Sequence, residues 1–125
     1  MKDKQLAQRL GQIKNLIMLA SADGHIADEE LMVIAQVAMR EKLSDEELNK
    51  VIEHPDDIHI EVPTDDEQRH QYLADMVTLM MIDGELDEQE MSICKVYAMH
   101  IGYPSTKVDE IVNDIITEVE TSAAE

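Results

Sequence analysis

"SADGHIADEE", residues 21–30, and "MIDGELDEQE", residues 81–90, follow one pattern. Each ends an apolar run with Asp-Gly, adds one more aliphatic residue and closes on carboxylates. Glycine best tolerates the left-handed backbone that follows a helix, so Gly24 and Gly84 read as helix stops. Ile26 and Leu86 then tuck back onto the preceding helix as its hydrophobic contact. Asp87 is placed to cap the next helix, with Glu90 completing a capping box. In the first copy the capping place falls to Ala27, yet Glu30 is retained.

Working outward from the two corners, Leu6, Leu10, Ile13, Ile17 and Ala20 recur at helical spacing and predict a first helix over about residues 4–21. A second is predicted from about 28 to 40, with Leu31, Ile34, Ala35 and Ala38 on its inner face. Ser44 and Glu47 form a capping box that opens a short third helix through Leu48, Val51 and Ile52. "HPDDIHIEVP" breaks the period and is the linker, over about residues 54–64. Thr64 and Glu67 make another capping-box pattern, opening a fourth helix to about Ile82. Met91, Cys94, Ala98 and Ile101 mark a fifth, closed by Gly102, and Val108, Ile111, Val112, Ile115 and Val119 a sixth.

The second set repeats the first at a constant offset of 60 residues. Leu19 falls on Leu79, Asp23 on Asp83, Gly24 on Gly84, Glu30 on Glu90, Ala38 on Ala98 and Met39 on Met99. Three helices alone bury too little surface to be stable. The expected fold is therefore all-α: a single domain over residues 1–125, with two duplicated three-helix units, about 6–53 and 65–120, sharing one core.

Composition agrees. There is no Phe or Trp, three Tyr and nine Met, so the core must come from Leu, Ile, Val, Met and Ala, which suit helices. Met also lines pliable binding surfaces. A net charge of −18 repels phosphate backbones and anionic lipid, which argues against nucleic-acid and direct membrane binding and for basic partners or cations. One cysteine leaves no internal disulfide, and no signal-peptide or membrane-spanning run is present, so a cytoplasmic protein is expected.

With Gly24 at position 6 of a calcium loop, Asp23 takes position 5, Ile26 position 8 and Glu30 position 12, and Asp83, Gly84, Leu86 and Glu90 repeat the match. Positions 1 and 3 fail, being Leu19 and Ser21 in one copy and Leu79 and Met81 in the other. That excludes a high-affinity EF-hand. It leaves a weak site for a divalent cation such as calcium or magnesium, on Asp23, Glu30, Asp83 and Glu90. Such a site needs the corners to meet, or a carboxylate such as Asp75 borrowed from a neighbouring helix.

The paired "ADGHIADEE" and "IDGELDEQE", with "MHIGYP" and its looser counterpart "REKLS", resemble the TerB-like family, named for tellurite-resistance proteins. The resemblance runs from about residue 6 to 119. It implies an all-helical bundle acting in stress responses through protein contacts, within a membrane-associated complex or as a homodimer, with cation binding at the acidic corners. Lys42 stands where the family tends to place Gly, and no aromatic precedes the second Asp-Gly.

Cys94 falls on the apolar stripe of the fifth helix and reads as a buried, inert thiol. "EHPDDIHIE" gathers His54, His59 and four acids, read as an exposed polar linker. No phosphate-binding loop, Gly-x-Ser-x-Gly elbow or His-Glu-x-x-His helix occurs. The expected function is a non-enzymatic interaction module. A weak cation binder is the alternative, and an acidic-site hydrolase the remote one.

Overall fold

A computed structural model describes residues 2–22, 24–59, 61–82 and 87–124. The described residues form α-helices and no strand: α1 (Lys2–Ala20), α2 (Asp28–Arg40), α3 (Asp45–Glu53), α4 (Asp66–Met81), α5 (Glu88–His100) and α6 (Thr106–Ala124). A 3₁₀ turn, Pro55–Asp57, lies in the segment joining α3 to α4. The all-α expectation holds. No helix among the described residues is long and apolar enough to cross a membrane.

Local chemistry sets the ends. At α3 the Ser44 hydroxyl accepts the Glu47 N–H at 3.1 Å, while the Glu47 carboxylate accepts the Ser44 N–H at 2.9 Å. At α4 the expected cap was Thr64, but Asp65 takes the place and accepts the Gln68 N–H at 3.0 Å. A carboxylate one residue later is the stronger acceptor at a helix N-terminus, where the dipole favours negative charge. Gly102 follows the α5 cap at φ 96° and stops that helix, as anticipated, while Gly24, at φ 84°, lies in the turn four residues past the end of α1. Gly84 and Leu86 lie outside the described residues.

The core is one cluster centred on α1 and α4. Ile13, Leu16 and Leu19 face Leu73, Met76, Val77 and Leu79, all at 1% exposure or less. Each such side chain contributes about 1.5–3 kcal/mol by leaving water. Around this pair, α2 and α5 add Ile34, Val37, Ala38, Cys94, Tyr97 and Ala98, and α3 and α6 add Val51, Val108, Ile111 and Val112. Lys14 pins the linker by donating to the Ile58 carbonyl at 2.9 Å.

The predicted inner face of α2 needs correction. Ile34 and Ala38 are buried, but Val37 joins them while Leu31 and Ala35 turn outward. From Leu31 to Met39 only Gln36 is polar, so within that stretch the period leaves the exact inner face weakly determined. Packing against α1 and α4 makes the choice.

Several hydrogen bonds recur at the offset seen in the sequence. Leu43 N–H donates to the Ala38 carbonyl at 3.0 Å, and Tyr103 N–H to that of Ala98 at 2.9 Å. Arg9 Nη1 reaches the Glu41 carbonyl at 2.9 Å, and Arg69 Nη1 that of Ile101 at 2.9 Å. Gln12 Nε2 donates to the carbonyl of Tyr72, its own counterpart, at 3.0 Å. Lys42, matching Gly102, holds a left-handed φ of 59°.

A Cβ at Gly24 would meet nothing within 4 Å, so only backbone strain opposes it. Gly24→Ala should therefore cost about 1 kcal/mol in chemical denaturation. An unchanged midpoint would remove the helix-stop reading of this corner.

Candidate functional site

Asp23 and Asp83 lie outside the described residues. Glu30 is engaged in capping: its Oε1 accepts the Ala27 N–H at 2.9 Å. Ala27 has no acceptor to return, so this is half a capping box, and it accounts for Glu30 beside an alanine. In the second copy the Asp87 carboxylate accepts the Glu90 N–H at 3.0 Å. The first turn of α5 approaches the end of α1, with Gln89 Nε2 reaching the Ala22 carbonyl at 3.4 Å. Among the described residues no group of three or more His, Cys, Asp or Glu side chains is gathered closely enough to hold a metal ion.

Asp75 is committed elsewhere and gives the corners nothing. It sits on α4 at 6% exposure and takes both guanidinium nitrogens of Arg40, each at 2.7 Å. Gln12 and Gln71 add donors at 3.1 Å each. Every strong acceptor position on this buried carboxylate is met, which a charge in the interior requires. The network clamps α1, α2 and α4 together. Its Asp75 hydrogen bonds also raise the Arg40 pKa above its ordinary value.

A different feature looks outward. Met32 is 63% exposed, Met39 76% and Leu31 43%, and together with Ala35 they make the solvent side of α2 apolar. Asp28 and Glu29 stand at its N-terminal end. At the other end the charge of Arg40 is balanced by Asp75. The sequence hinted at this through its methionine count, but no periodic signal placed those side chains outside.

Cys94 is fully buried, as expected, and burial pushes its thiol from 9.0 to about 12, with the Glu90 charge adding to the rise. A thiol that stays protonated is a poor nucleophile. At about pH 8 a thiol reagent should label Cys94 only at the rate of unfolding. Because the unfolded thiol ionises first, this group should also lower stability as pH climbs past about 9. Rapid labelling of the native protein would contradict both expectations.

No family model, curated protein or solved structure matches the chain.

Proposed function

We propose that this protein is a non-enzymatic interaction module of the TerB-like type, which docks a basic amphipathic segment of a protein partner on the outward face of α2. The observation that carries the reading is the Leu31–Met32–Ala35–Met39 surface, an apolar helix face left in water. Contiguous apolar surface of this kind marks interaction sites, and methionine adapts to partners of varied shape. The net charge of −18 selects a basic partner and works against a second copy of the same chain. A cytoplasmic stress response of the tellurite-resistance kind is the proposed setting. The duplicated architecture is part of the proposal. Support comes from hydrogen bonds that recur at one offset and from Gln12 touching Tyr72, its own counterpart, as residues at a two-fold axis do.

The test is a titration with a synthetic Leu/Lys amphipathic helix and a scrambled peptide of the same composition. The parent protein should prefer the amphipathic form. Met32→Glu with Met39→Glu should weaken it at least tenfold, although both changes add negative charge. Charge attraction alone would instead strengthen binding in that variant and leave the scrambled peptide equally good, which would refute an α2 docking face.

One observation favours a second reading, a weak divalent-cation site at Asp23, Glu30, Asp83 and Glu90. It is the hydrogen bond from Gln89, in the first turn of α5, to Ala22, just past the end of α1. Calcium or magnesium should then give saturable amide shifts at Gly24 that vanish in Glu30→Gln and Glu90→Gln.

A further inference from the structure

The sulfur atoms of this chain divide between core and water. Met76 and Met80 on α4 are 1% exposed, and Cys94, the single cysteine, is fully buried. Met32 and Met39 on α2 are instead more than half exposed, as are Met18 on α1 and Met99 on α5. Met32 and Met39 lie seven residues apart, two helical turns, so both stand on the side of α2 that Leu31 and Ala35 complete. A leucine at either place would keep that face apolar without a sulfur to oxidise.

We propose that Met32 and Met39 are modification sites, where hydrogen peroxide converts each thioether to a sulfoxide and thereby releases the partner from α2. The proposal rests on the docking reading of that face. In the reaction a sulfur lone pair attacks one peroxide oxygen and the O–O bond breaks. The departing hydroxide takes the proton left on the transferred oxygen and leaves as water. Sulfur loses two electrons and peroxide gains two, so each sulfoxide consumes one peroxide.

Oxidation turns a pliable apolar side chain into a polar, chiral one. Pressed against the apolar side of the partner, the new oxygen would lose its water without a donor in return, which weakens the contact. Susceptibility follows access to sulfur, so the core methionines are spared and the α2 pair is not. Cys94 does not compete, because a buried, protonated thiol reacts poorly. Asp28 and Glu29 stand one turn before Met32 on a chain of net charge −18, which repels anionic oxidants but not neutral peroxide.

The experiment treats the protein with hydrogen peroxide, maps oxidation by peptide mass spectrometry and titrates each sample with the Leu/Lys amphipathic helix. Met32 and Met39 should each gain one oxygen while Met76 and Met80 stay unmodified, and circular dichroism should keep its helical signal. Affinity should fall at least about tenfold, at the rate at which Met32 and Met39 are oxidised. Methionine sulfoxide reductases, one for each epimer, should restore it with a dithiol as reductant. Met18 and Met99 lie on other helices, so Met18→Leu with Met99→Leu should lose affinity as the parent does. Met32→Leu with Met39→Leu, a volume-conserving change, should bind about as well as the parent and keep its affinity through treatment. An untreated parent with no preference for the amphipathic over the scrambled peptide would remove the docking face and this proposal with it. A preference that survives complete oxidation of Met32 and Met39, or an equal loss in the Met32→Leu, Met39→Leu protein, would overturn the proposal and leave docking standing. Loss of helix with Met76 and Met80 oxidised as fast as Met39 would also overturn it, since release would then be unfolding.

Discussion

Leu19→Asp should unfold the protein, although it restores the first ligand position that the Asp-Gly corner lacks as a calcium loop. Leu19 is fully buried at the end of α1 and packs in the cluster that includes Leu16, Val77 and Leu79. A carboxylate there has no donor waiting for it. Placing an unpaired charge in such a site costs several kcal/mol, a large share of the roughly 5–15 kcal/mol that holds a domain folded. Leu79→Asp should behave the same way, since Leu79 is equally buried. Leu19→Ala separates lost packing from added charge and should cost about 3 kcal/mol by chemical denaturation. Calcium discriminates further, because an ion bound only by the folded state raises stability with concentration. Circular dichroism should show loss of helix in Leu19→Asp with no recovery as calcium is raised. A folded variant whose melting temperature climbs saturably with calcium would reverse this account of the corner.

The second large effect belongs to the clamp between α2 and α4. Arg40→Ala strands a carboxylate at 6% exposure, leaving Gln12 and Gln71 as its donors. Removing one member of a buried pair costs about 3–5 kcal/mol. Arg40 itself is 38% exposed and two amide donors survive, so about 2–3 kcal/mol is expected here. Asp75→Asn should be much milder, about 1 kcal/mol, because the freed guanidinium can hydrate at the surface. The matching position on α1 is Asn15, a neutral amide already accommodated beside Tyr97. Urea unfolding of the two variants measures this asymmetry. Equal losses, or a loss below about 0.5 kcal/mol in Arg40→Ala, would show that the clamp contributes little.

By itself the sequence determined the elements and most of their ends. Apolar period, Asp-Gly stops and the Ser44–Glu47 box are local signals, and α2 begins and ends where those signals place it. The burial of Leu19, Leu79 and Cys94 was legible for the same reason, each falling on the apolar period of its helix. Tertiary structure decided the rest. The outward face of α2 could not be read because Gln36 is the one polar residue between Leu31 and Met39, and contact with α1 and α4 determines which apolar side chains stay wet. Likewise nothing local joins Gln12 or Arg40 to Asp75. Their meeting depends on how three helices pack, and hydrogen bonding between distant side chains leaves no periodic trace in a single chain.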